Sequence, residues 1–214
     1  MHRFLRETQV NRLSEPMPNV AIDLNKNTRL RQVFLFSGHM VDAPDRSRPR
    51  FPPDKEPLAA AAIAKLLDEL GAGADDAAIS SGACGGDLLF AEACLQRELR
   101  VEIYLPFEQE AFLNQSVNFA GEHWREKFFW VKKRAQGWHI MPQELGPAPL
   151  DKDSFARVNL WMLDQALAYG SAKVNFICLW DGQAGDGPGG TKHLHEAVVQ
   201  AAGKAYVLDT TKLW

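Results

Sequence analysis

At 214 residues the chain is long enough for one substantial core, and with 46% hydrophobic and 24% charged residues it has the composition of a folded globular domain and not of a disordered chain. The formal net charge of -3 argues against a broad basic surface of the kind that neutralises a nucleic-acid backbone, and no apolar run approaches the ~18 residues of a membrane helix. Cys84, Cys94 and Cys178 include no CxxC pair, which argues against a disulfide framework or a thiolate metal site and points to a reducing, cytoplasmic setting.

Residues 1–30 are polar, are interrupted by Pro16 and Pro18, and lack the apolar core of an export signal. They read as an extension before one domain at 31–214. VFLF at 33–36 reads as a first strand that ends in SGHM at 37–40. Leu58, Ala62, Ile63, Leu66, Leu67 and Leu70 recur at helical spacing and predict a helix over 56–70. A strand at 77–79, a helix over 87–99 with Leu88, Ala91, Cys94 and Leu95 on one face, and a strand at 101–105 follow. The middle of the chain predicts helices over 108–114 and 122–134 and a strand at 138–141. Its Phe119, Trp124, Phe128, Phe129 and Trp130 read as a helix-packing cluster more than as a stacking platform for bases. After a Pro-rich connection at 146–149 come a helix over 154–169, a strand at 174–179, a helix over 191–202 and a last strand at 205–208. This alternation of short apolar runs with helical patterns predicts the α/β class, as a Rossmann-like three-layer α/β/α domain with a mostly parallel sheet.

Two glycine-rich loops each fall between a predicted strand and a predicted helix. In SSGACGGD at 80–87, Gly82, Gly85 and Gly86 allow close backbone approach, and the helix behind them points N–H groups at the loop. Ser81, Gly82, Gly85, Gly86 and Asp87 are therefore candidate ligand contacts at an anion site. Asp87 reads first as a helix cap and second as a ribose contact. Cys84 lacks an evident base and reads as a small residue filling the turn. The spacing departs from GxGxxG, so no nicotinamide or other cofactor is expected.

The second loop, 181–190, holds five glycines before a helix that begins near Thr191. Gly187, Gly189, Gly190 and Thr191 are its candidate contacts, through backbone N–H donors and one hydroxyl. Ser37 and Gly38, at the end of the first strand, complete the candidate pocket, while His39 reads as a buried or capping imidazole. Arg157 reads as a surface ion pair or a phosphate contact. His193 and His195, two residues apart on a helix, face different ways, and no metal site is expected. Glu92, Asp181 and Glu196 are the candidate acids or bases should the protein be a catalyst.

SSGACGGDLLFAEACL resembles the SGxAxGxDxxAxxxAL pattern of the DNA-processing protein A family, and GPGGT followed by a helix resembles the second phosphate loop of the Lonely Guy phosphoribohydrolases. Both belong to the SLOG superfamily of Rossmann-like nucleotide-ligand domains, and FSGHMVD at 36–42 looks like its first strand and loop. The resemblance runs from Val33 to Leu208 and implies binding or sensing of a nucleotide-derived small molecule. Leu194 stands where Lonely Guy enzymes carry a catalytic glutamate, and Cys84 and Gly85 stand where the DNA-processing family tends to a basic residue. The alternative readings are a nucleotide N-glycosidic hydrolase or transferase, and a single-stranded nucleic-acid binder using aromatic rings. Nucleic acid is disfavoured by the charge, no membrane partner is expected, and a homodimer is the expected assembly.

Overall fold

Val33, Phe34, Leu35 and Phe36 are all fully buried, so the first strand must be covered on both faces. The computed structural model, which describes residues 30–146, 153–183, 189–201 and 203–214, places this strand, β1 (Val33–Gly38), inside a six-stranded sheet. The others are β2 (Ala77–Ser80), β3 (Arg100–Leu105), β4 (Gly137–Ile140), β5 (Val174–Trp180) and β6 (Lys204–Asp209). Their order is β4-β3-β2-β1-β5-β6, and every pairing is parallel. The extension expected at 1–30 lies, but for Leu30, outside the described residues.

Alternate residues of the strands feed two cores. Phe34, Phe36, Ile103, Leu105, Ile177 and Leu179 pack beneath α1 (Glu56–Glu69), α2 (Gly86–Gln96), α3 (Gln109–Ser116) and α4 (Glu122–Arg134). Val33, Leu35, Ile79, Phe176 and Cys178 face the other way, onto α6 (Ser154–Leu167) and α7 (Thr191–Gln200). Met141, in the short α5 (Met141–Leu145), joins this second core. The result is the expected three-layer Rossmann-like domain, with a wholly parallel sheet where the sequence predicts a mostly parallel one.

Two elements go beyond the predicted set. The strand expected through 141 stops at Ile140, because Pro142 sits in the first turn of α5, where a missing N–H costs nothing. The four-residue α8 (Thr210–Leu213) is too short to show a period; Asp209 starts it by accepting the Thr211 N–H at 3.0 Å. In the middle of the chain the packing reading of the aromatics holds for Trp124 and Phe128, which are buried, whereas Phe129 is exposed.

At the amino ends of the strands, Asp76 is fully buried and accepts from Arg31 Nη2 at 2.7 Å, Gly73 N at 3.0 Å and Gln32 N at 3.1 Å. This knot fixes the start of β1 against β2. The carboxyl ends are left for the loops.

Candidate functional site

In an open parallel sheet a crevice forms outside the carboxyl ends of the strands where the chain order reverses. Here the reversal lies between β1 and β5, and a cleft of about 380 Å³ opens there. Ser37, Gly38 and His39 line it from β1, Ser81, Ala83 and Asp87 from the first glycine-rich loop, and Gly189, Gly190 and Thr191 from the second. Arg50 contributes a positive charge to the wall, and Trp180 stands at the end of β5. The end of β1 is joined to the start of α7 by the hydroxyls of Ser37 and Thr191, 3.2 Å apart. Thr191 thus meets another hydroxyl and does not cap α7, whose first turn has no side-chain cap.

The first loop uses its glycines differently from the expected phosphate cradle. Cys84 N–H donates to Ser116 O at 2.9 Å, and Gly86 N–H donates to His39 O at 3.0 Å. Val41 N–H donates back to Cys84 O at 3.2 Å, so the loop is stitched to the segment after β1. Gly82, Gly85 and Gly86 do not line the cleft. A Cβ on Gly82 would stand 3.3 Å from the Phe128 ring, and one on Gly86 3.1 Å from Gly38 Cα, so close packing accounts for both. Gly187 lies outside the described residues.

Asp87 is not the helix cap: α2 begins one residue earlier, at Gly86, and the Asp87 carboxylate reaches back to accept the Ala83 N–H at 3.3 Å. Burial pushes its carboxyl up to about 7, while the N–H groups of Ala83 and Gly38 pull the other way. A raised folded value means that the native state holds this proton more tightly than the unfolded chain. The stabilisation is full below the ordinary carboxylate range and is lost as pH rises through about 7. Asp87→Asn is expected to remove this decline, gaining up to about 4 kcal/mol relative to the parent between about pH 4 and pH 8. Urea unfolding of both proteins at several pH values measures it.

His39 is buried and its Nε2 lies 3.2 Å from Asp181 Oδ1 and 3.1 Å from the Asp181 backbone N. Burial and then the Arg50 charge hold its pKa below the ordinary histidine value, with Asp181 opposing them. An uncharged ring therefore faces the cleft at neutral pH, and Asp181 serves to hold it. The remaining acid/base candidates stand elsewhere. Glu92 pairs with Lys127 between α2 and α4, and the exposed Glu196 pairs with Lys192 at 3.8 Å; neither lines the cleft.

A wall that sequence reasoning missed comes from α6. Phe155, Val158, Asn159 and Met162 recur at helical spacing and face the cleft, and Asn159 Nδ2 donates to Gly189 O at 2.7 Å. Asp153 caps the helix by accepting the Ala156 N–H at 2.7 Å. The apolar stripe was readable, but its destination was not, because Phe155 and Val158 look like ordinary core positions. Arg157, on another side of the same helix, does not line the cleft and makes no ion pair among the described residues; its guanidinium donates to Leu145 O at 3.1 Å and Gly146 O at 3.2 Å.

Burial pushes the Cys84 and Cys178 thiols up to about 12, which agrees with Cys84 as a filler of the turn. His195 packs against Trp180 at 5.5 Å between ring centres, and among the described residues no group of three His, Cys, Asp or Glu stands together to hold a metal. No helix among them is long and apolar enough to cross a membrane.

No protein-family model matches the chain, and no curated protein matches it. Among solved structures, the chain is similar to DNA processing protein A from Streptococcus pneumoniae, with 13% identity, a TM-score of 0.30, and coverage of 86% of this chain and 61% of that one. The chain thus spans about three fifths of that protein, and the structural likeness is weak.

Proposed function

We propose that the cleft binds a nucleotide or nucleotide-derived small molecule. The observation that carries this reading is the position of the cleft at the β1/β5 switch point, with the amino end of α7 and Arg50 on its rim. The first N–H groups of a helix and a guanidinium suit a phosphate. The apolar α6 stripe with Phe155 and Met162 suits a base, and the loop motifs that resemble the SLOG superfamily support the same ligand class.

Calorimetry with a panel of nucleoside mono-, di- and triphosphates and cyclic nucleotides tests this. At least one is expected to bind, and Thr191→Ala, which removes one hydroxyl from the rim, should weaken it by about 1 kcal/mol. An absence of heat across the panel, with the protein shown to be folded, would overturn the reading.

One observation favours a second reading, cleavage of an N-glycosidic bond. A carboxyl with its pKa pushed up to about 7 stands on the cleft wall, so Asp87, and not Glu92 or Glu196, is the group such chemistry would use. Release of free base from a bound nucleotide, abolished in Asp87→Asn, separates a catalyst from a sensor.

A further inference from the structure

His139, on the edge strand β4, has a carboxylate at each ring nitrogen. Nδ1 lies 2.8 Å from Glu144 Oε1 of α5, and Nε2 lies 3.2 Å from Glu102 Oε2 of β3. An ionised carboxylate only accepts, so both contacts are hydrogen bonds only while both ring nitrogens carry protons. The same ring stacks on Tyr104 at 4.3 Å and meets Trp161 of α6 edge-on at 6.1 Å. One imidazolium thus ties β3, α5 and α6 together. The connection continues to the cleft, because Arg157 of α6 holds the Leu145 and Gly146 carbonyls at the end of α5, and α6 supplies Phe155, Asn159 and Met162 to the cleft wall.

We propose that His139 is a proton-operated latch: as an imidazolium it pins α5 and steadies the wall that α6 lends to the cleft, and as a neutral ring it gives up one carboxylate and lets α5 lift. The effect on ligand binding rests on the function proposed above; the latch itself does not.

The groups around the ring set the direction. Burial alone would favour the neutral imidazole, but the hydrogen bonds to Glu102 and Glu144 outweigh it and raise the pKa of His139. Burial likewise pushes Glu102 up, yet His139 and Arg100, whose Nη2 is 2.6 Å away, together hold it below its ordinary value. Tyr104, which donates to Glu102 at 3.3 Å, and Tyr169, just past α6, are both raised by burial and stay protonated. From α5, the uncharged Gln143 donates to the Glu108 carboxylate at 2.9 Å, and Arg157 is a fixed charge. His139 is therefore the member of this cluster whose titration is moved above the ordinary histidine value by its neighbours. The latch is fully set below the ordinary histidine pKa of about 6.5 and is lost as pH rises through the raised folded value.

The test uses the full chain without ligand. Amide exchange of Met141 and of residues 143–146, corrected for intrinsic base catalysis, is followed from about pH 6 to about pH 9 beside an NMR titration of the histidine rings. Protection should fall at least about threefold, and by no more than about tenfold per pH unit, with a midpoint at the His139 titration. In His139→Gln the protection should be low and independent of pH. Should that variant not fold, Glu144→Gln, at a partly exposed position, should lower the His139 pKa and flatten the exchange profile. Protection that stays constant with pH in the parent, or a His139 that titrates at or below the ordinary value, would overturn the latch. A nucleotide panel without binding, beside a latch that titrates as described, would remove the proposed ligand and leave the latch standing.

Discussion

Gly85→Ala is expected to be the most damaging single methyl that can be added to the first glycine-rich loop, with a loss of at least about 3 kcal/mol in unfolding free energy. Gly85 has φ +104°, and an added Cβ would stand 2.7 Å from both His39 O and Val41 N. Those atoms are backbone, and they belong to the segment that Gly86 N–H and Cys84 O hold in place. Neither can swing aside as a side chain would. Gly121→Ala is the control, because its φ is also positive, at +97°, but nothing lies within 4 Å of the new Cβ. It should cost only the conformational part, about 1–2 kcal/mol. Chemical unfolding of both variants separates crowding from backbone strain, and equal losses would show that the tie between this loop and the segment after β1 has no weight of its own.

Gly189→Ala should have the largest effect on the cleft. The new Cβ would lie 2.4 Å from Phe155 Cβ, 2.5 Å from Ala156 N and 2.6 Å from Asp153 Oδ1. All three atoms belong to the start of α6, including both ends of the Asp153 cap. The loop must move off the helix or the cap must break, at a cost of about 2–3 kcal/mol. Because Gly189 and Phe155 both line the cleft, nucleotide affinity should fall at least about tenfold, far beyond the effect of Thr191→Ala. Thermal melts and calorimetry on the same samples check the two halves of this expectation. Unchanged affinity in a destabilised variant would place the ligand away from the second loop.

Most of the fold is legible because its central strands are buried on both faces. Val33–Phe36 and the apolar stretch within β5 read as strands without any need for alternation, and the helix that the sequence predicts over 122–134 coincides with α4. What was illegible depends on contacts between distant parts of the chain. The first loop reads locally as a phosphate cradle, yet Cys84 and Gly86 spend their N–H groups on Ser116 and His39, far away in sequence or across the sheet edge. Asp153 and Asn159 become cleft-side residues only once α6 meets Gly189, and nothing in their own neighbourhood announces that meeting. Arg50 could not be singled out either, since it follows an irregular stretch with no period, whereas Ser37 and Gly38 could, because they end a strand.

The central position of β1 has a consequence for how the chain is made. Its residues pair with β2 on one edge, a short way along the sequence, but their partners on the other edge begin with Val174, near the end of the chain. On the ribosome, the first four strands can assemble before β5 emerges, leaving the second edge of β1 unpaired meanwhile. Closure of so large a loop in a parallel sheet is slow, and an open apolar edge attracts other chains. Nascent chains arrested before β5 should therefore be the species that aggregates or is held by chaperones, and the emergence of β5 should be the step that ends this exposure.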